Sequence, residues 1–268
     1  MKHLSLTKNL LAVIVLLAGS AFWSGCGQNT NASIETAEED SPEQLSDASR
    51  VLVFSKTKGY YHESIPSGIE AIQKLGRENS FQVDTTKDAS KFTTDNLRQY
   101  RAIIFLSTTQ DVLNDEQQSA MEEYIKGGGG FVGVHAAADT EYEWPWYNKL
   151  VGAYFKSHPN NPNVRKAVVN VIDKSHPATA NLPAKWERSD EWYNYKDINP
   201  DLKVLAKLDE TSYEGGENGD AHPIIWYHDY DGGRAFYTGG GHTEESFTDP
   251  VFTQHLLGGI KYAMGGDE

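Results

Sequence analysis

The chain has 268 residues, 38% of them hydrophobic and 23% charged, with 24 Gly, 10 Pro and one Cys. Those proportions suit a globular chain and exclude collagen-like, coiled-coil and wholly disordered classes. A formal charge of −14 argues against nucleic acid or an anionic membrane as partner, since both call for stripes of Lys and Arg. One Cys supports neither a disulfide framework nor a Cys-based zinc site.

In chain order, residues 1–26 read MKHLSLTKNLLAVIVLLAGSAFWSGC. Lys2 and Lys8 form a positive start, Leu10 to Leu17 an apolar stretch, and small residues then lead to Cys26. This is the pattern of a secretory signal, too short for a lasting transmembrane helix. Ser24-Gly25-Cys26 resembles a bacterial lipobox, although Trp23 stands where an aliphatic residue is usual. The expectation is a signal peptide over 1–25 and a lipid on Cys26. That places the protein at the bacterial cell envelope, periplasmic or outer, touching membrane only through its anchor. An ordinary secreted protein cut nearby is the alternative. Residues 26–50 are polar and acidic, bury too little apolar surface to offset ordering entropy, and read as a tether. The folded domain is expected over 51–265, without internal repeats.

Within that domain VLVFS (51–55) reads as a strand buried on both faces. Ile65, Ile69, Ile72 and Leu75 recur at helical spacing between Glu63 and Asn79, and FQVDTT is a second strand. RAIIFLS (101–107) is a third; Asn114 with Gln117 forms a capping-box pattern opening a helix that stops at Gly127; GFVGVH (130–135) is a fourth strand. Alternating strands and helices predict right-handed crossovers and a parallel sheet. Further strands are expected at VRKAVVNVID (164–173), LKVLAKL (202–208), HPIIWYHDY (222–230) and GRAFYTGG (233–240). The Asp231-Gly232-Gly233 turn makes the last two a hairpin, and Phe247 to Met264 reads as a closing amphipathic helix. The fold class is therefore α/β, a mostly parallel sheet with late antiparallel strands.

Ligands of an open parallel sheet bind beyond the carboxyl ends of its strands. His62 follows the first strand, Thr109 the third, His135 and Asp139 the fourth, and His242 the last. His135 precedes three Ala, the composition of a sharp strand-to-helix turn that lifts one side chain above the sheet. Its imidazole suits a general base near neutral pH or a metal ligand, and it also suits a simple strand-end histidine. Asp190-Glu191 beside aromatics is the best carboxylate candidate, with burial expected to raise one of the two toward the range useful in acid–base work. Tyr142, Trp144, Trp146, Trp192 and Tyr193 offer faces for sugar stacking or for core packing. His158 and His176 precede Pro and read as turn residues; His222, His228 and His255 read as strand or helix positions. Gly127 to Gly130 lacks the Lys-Ser/Thr of a phosphate loop, and no Gly-x-Ser-x-Gly or His-Glu-x-x-His occurs. With its thiol in the signal region, the fold has no cysteine nucleophile.

VLVFSKTKGYYHES, GGGFVGVHAAADT, GAYFKSHP, RSDEWYNY and GRAFYTGGGHT, in that order, resemble the ThuA-like (trehalose-utilisation) family over about residues 51–265. The resemblance implies a flavodoxin-like, three-layer fold related to class I glutamine amidotransferases. In those relatives the elbow carries the catalytic Cys; here it carries His135, so amidotransferase chemistry does not transfer. The resemblance also implies work on carbohydrate: isomerisation, epimerisation or elimination of a keto-sugar or disaccharide derivative. Such chemistry needs a base, an acid and something to stabilise an enediolate. His135, His242 and Glu191 are the candidate catalytic residues. His62, Asp139, Asp190, Trp192, Thr109 and His158 are the candidate substrate contacts. A divalent metal on some of His62, His135 and His242 is the candidate stabiliser. The alternative function is a non-catalytic sugar-binding lipoprotein on the same fold.

Overall fold

The computed structural model describes residues 49–265. The expected signal peptide, Cys26 and nearly all of the expected tether lie outside the described residues. β1 (Arg50–Phe54) is followed by α1 (Ile65–Glu78), β2 (Gln82–Thr86) and the single turn α2 (Thr94–Leu97). Next come β3 (Ala102–Leu106), α3 (Asp115–Lys126) and β4 (Gly130–Val134). The chain then runs through α4 (Pro145–Val151), β5 (Tyr154–Ser157), β6 (Val164–Val171), β7 (Lys185–Glu191) and β8 (Asn194–Lys196). β9 (Lys203–Asp209), the hairpin β10 (Pro223–Tyr230) and β11 (Gly233–Thr238), and α5 (Pro250–Met264) complete it.

Local chemistry explains most of these boundaries. Every residue of β1 after Arg50, and every residue of β3 and β4, is buried, as a strand covered on both faces requires. Asn114 accepts from the Gln117 amide while the Gln117 side chain caps back, completing the box that starts α3. Asp231 and Gly232 have φ of 49° and 96°, the left-handed pair of a type I′ turn between β10 and β11. The closing helix starts three residues later than the sequence suggests. Asp249 caps α5 by accepting from Val251, and Glu244–Phe247 is a separate 3-10 turn.

One nine-stranded sheet runs β2-β1-β3-β4-β11-β10-β9-β6-β7, beside a small β5-β8 pair. β2, β1, β3, β4 and β11 are parallel, and β10, β9, β6 and β7 join by antiparallel pairing. The fold is thus mixed α/β of the flavodoxin type, its order 2-1-3-4 continued by the last strand. Four successive antiparallel pairings return β7 to the direction of β11, so their carboxyl ends share an edge with those of β1, β3 and β4. In a flat sheet four strand spacings would separate β7 from β11 by about 19 Å. Yet Asp190 in β7 accepts a 2.9 Å hydrogen bond from the Gly241 amide just beyond β11. Accumulated twist therefore curls the antiparallel half back over the rim. That curl builds the site.

Candidate active site

At the end of β1 the chain loops to His62, which is 2% exposed. Thr109, after β3, accepts from the Gly59 amide and donates to the Tyr60 carbonyl, both at 3.1 Å, so it staples this loop. At the end of β4 the backbone of His135 takes φ 49°, a left-handed conformation that costs a non-glycine residue roughly 1–3 kcal/mol. Ala136, Ala137 and Ala138 are completely buried beneath it; larger side chains would not fit there. Tyr237 donates to the His135 carbonyl at 2.7 Å and pins the strained residue. The ring is fixed as well, because His135 Nδ1 lies 3.1 Å from the Gly239 carbonyl. A carbonyl only accepts, so Nδ1 carries a proton and Nε2 is the atom that points into the site.

Beyond β11, Gly241 has φ 114° and swings His242 toward the same point. Asp190 holds this turn by accepting from the amides of Gly241 (2.9 Å) and His242 (3.0 Å), and Ser64 Oγ donates to the Gly241 carbonyl at 2.9 Å. Three donor atoms then meet. His135 Nε2 is 3.3 Å and His242 Nδ1 3.0 Å from Glu191 Oε2, and the two nitrogens are 3.3 Å apart. His62 completes the group: one donor atom from each of the four residues lies within 4.8 Å of all the others. Asn163 donates to Glu191 Oε1 at 2.7 Å and lies 3.3 Å from His242 Nε2.

The electrostatics follow from this crowding. Burial, then the charges of His135 and His242, push the His62 imidazole down from 6.5 to about 2, so it stays neutral. Burial alone would raise the Glu191 carboxyl. Hydrogen bonding and charge from His135 and His242 outweigh burial and hold it well below the usual carboxylate range. The expectation of a raised acid at this pair is therefore corrected: Glu191 stays ionised and is no proton donor at neutral pH.

Glu191 and His62 sit in the wall of a cleft of about 460 Å³ that is also lined by Tyr60, Asp139, His158 and Tyr193. Here burial, opposed by hydrogen bonds from Tyr142 and Gln110, does raise the Asp139 carboxyl above its ordinary value. Both of those bonds fall on Oδ1, leaving Oδ2 without a protein partner among the described residues. A somewhat larger cleft of about 530 Å³ opens at the amino ends of the strands, beside Ser49, Arg101 and Gly128. It contains no histidine, and its position is opposite to where a parallel sheet binds ligands.

The model of the ThuA family, described as trehalose utilisation, matches residues 50–263. The chain belongs to the ThuA family. Among solved structures it is similar to a ThuA-like protein from Bacteroides uniformis, with TM-score 0.68 and 27% identity over 85% of this chain and 97% of that one. A ThuA-like protein from Parabacteroides merdae shares the fold with TM-score 0.64 and 22% identity, over 82% and 91% of the two chains. A β-galactosidase from Bacillus circulans shares the fold over 31% of its own length, with TM-score 0.51 and 13% identity. No curated protein matches the chain. Membership points to a carbohydrate-related function.

In this ThuA protein the curled sheet brings together His62, His135, His242 and Glu191, with Asp139 and His158 in the wall of the same cleft. Three other sequence candidates are buried and engaged with protein groups. Asp190 is fully buried and spends its oxygens on Arg188, Ser246 and the Gly241–His242 amides. Trp192 is 1% exposed and donates to the Arg165 carbonyl, away from the cleft. Thr109 is completely buried and serves the β1 loop. Asn163 was not anticipated, since an Asn one residue before a strand carries no signal of its own.

Proposed function

We propose that this protein is a cell-envelope enzyme that converts a keto-sugar or disaccharide derivative by acid–base chemistry: isomerisation, epimerisation or elimination. The observation that carries this reading is the convergence of His62, His135, His242 and Glu191 beside the cleft that holds Asp139. A carbon next to a ketone loses its proton only if a base accepts it and positive charge meets the oxygen that becomes an enediolate. Asp139 is the base in this scheme. Its free Oδ2 points to a role in proton transfer, and its raised affinity for protons brings it closer to the neutral range where such transfer is efficient. His135, His242 and Glu191 supply the polarising end. The ionised carboxylate keeps positive charge favourable between the two imidazoles. Tyr60, 63% exposed at the cleft, offers a face for a sugar ring.

Solvent deuterium entering the carbon beside the ketone of a 3-keto disaccharide, followed by NMR, tests the reaction. Exchange is expected in the wild type and is expected to fall by about 10²–10⁴ in Asp139→Asn, the usual worth of a positioned base. Saturable binding of keto-sugars with no exchange across a broad panel would instead establish the non-catalytic sugar-binding lipoprotein. The envelope location rests on the lipobox-like Ser24-Gly25-Cys26. Radiolabelled palmitate incorporated by the wild type and absent from Cys26→Ser is the expected result, and equal labelling of both would remove the anchor.

A further inference from the structure

We propose that His62, His135, His242 and Glu191 bind one divalent first-row transition-metal ion, with zinc the ion their geometry suits best. The proposal starts from a count of protons. His135 gives its Nδ1 proton to Gly239 and turns Nε2 to Glu191 Oε2 at 3.3 Å, where a neutral ring would meet it lone pair to lone pair. The only ring proton of neutral His242 available to this group must serve both that oxygen at 3.0 Å and His135 Nε2 at 3.3 Å. His62 adds a further donor atom, and its buried Nδ1 has no hydrogen-bond partner among the described residues. The group is therefore short of positive charge. An extra proton would satisfy two of these atoms, whereas four converge. Convergence of that kind is what a metal ion requires.

The spacing agrees. Ligands held 2.0–2.1 Å from one ion are separated by roughly 3.3–3.4 Å in a tetrahedron and roughly 2.8–3.0 Å in an octahedron. The triangle of His135 Nε2, His242 Nδ1 and Glu191 Oε2 has edges of 3.3, 3.0 and 3.3 Å. Three imidazoles and one carboxylate suit zinc, iron or nickel far better than calcium or magnesium, which prefer oxygen. The surroundings complete the arrangement. Gly239 fixes the His135 ring, Asn163 holds Glu191 Oε1 so that Oε2 turns inward, and Asp190 fixes the backbone of His242. The ion would supply the positive charge that the proposed reaction needs, but the binding itself does not depend on that reaction.

The test uses the full chain, stripped with a chelator and titrated with zinc and with cobalt(II) in the absence of sugar. The expected result is about one ion per chain by elemental analysis, with visible cobalt bands characteristic of nitrogen and oxygen ligands. His135→Ala and His242→Ala should lose the stoichiometric ion, and Asn163→Ala should keep it with affinity lowered about 10–100-fold. Circular dichroism checks each variant; if His135→Ala does not fold, His242→Ala and Asn163→Ala still decide. No binding by the folded wild type, or equal binding by wild type and the ligand variants, would overturn the site. Metal binding without deuterium exchange would sink the reaction and leave the ion standing, and deuterium exchange by a protein that binds no metal would sink the ion and leave the reaction standing.

Discussion

Asp190→Ala is expected to be among the most destabilising single changes in the domain, by about 3–5 kcal/mol, the cost of leaving a buried charge without its partner. Its carboxylate is completely buried and accepts from Arg188 (2.8 Å), Ser246 (3.1 Å) and the amides of Gly241 and His242. Arg188 is itself only 8% exposed at its side chain. Removing the carboxylate strands that guanidinium between the rings of Trp186 and Phe252 and frees the turn that carries His242. Urea denaturation at neutral pH measures the loss. Asp190→Asn keeps the shape but not the charge and should recover part of it. A loss below about 1 kcal/mol in Asp190→Ala, the size of an exposed ion pair, would show that Asp190 does not anchor the rim.

The second large effect is acid lability. Burial holds His255 and His176 neutral, lowering each from 6.5 to about 4. The His255 ring donates from Nδ1 to the Ala178 carbonyl, so its Nε2 accepts from the Thr238 hydroxyl, and an imidazolium would break the second bond. Below pH 6.5 the unfolded chain takes up protons at both rings, while the folded chain refuses them until about pH 4. Stability therefore falls as pH falls through that window. The limiting slope is about 1.4 kcal/mol per pH unit for each buried histidine. Against a typical total of about 5–15 kcal/mol, two pH units remove a large share. Glu191 acts only from the acid end of this window downward. Its lowered affinity for protons adds stability above the ordinary carboxylate value of 4.5, and that stability is lost further into acid. Unfolding free energies measured at intervals from pH 7 to 4.5 should fall steadily, and His255→Gln should flatten the curve. A flat profile in the wild type would contradict the assignment of neutral buried rings.

The parallel half of the fold was legible because each of its strands is a short apolar run between polar punctuation, and helices fill the gaps. His62, His135 and His242 followed from one rule: side chains just past the carboxyl ends of parallel strands face the ligand side. His135 was clearest, since HAAA can make the tight turn that its left-handed backbone requires. The antiparallel half was less readable. β7, Lys185–Glu191, buries Trp186, Asp190 and Glu191 among charged neighbours, which conceals its strand periodicity. Its place on the active rim depends on pairing order across four antiparallel neighbours and on the curl of the sheet, neither of which is written in any local stretch. For the same reason the two neighbouring carboxylates could be named but not told apart. Asp190 meets backbone amides and a guanidinium, Glu191 meets two imidazoles, and those partners come from segments far away in the chain. The expectation that burial raises one of the two fails at Glu191 on the same ground: burial is visible in the aromatic context, while the opposing imidazoles are not.

The central claim is that His135 and His242, which are 107 positions apart, act as one unit, and a double-variant cycle on deuterium exchange tests it most directly. Exchange rates into a 3-keto disaccharide would be measured for wild type, His135→Ala, His242→Ala and the double variant. Groups that work only together lose nearly everything with the first removal, so the double variant should be about as slow as either single one. Losses that simply multiply, each ring contributing the same factor whether or not the other is present, would mean that the two histidines serve separate ends.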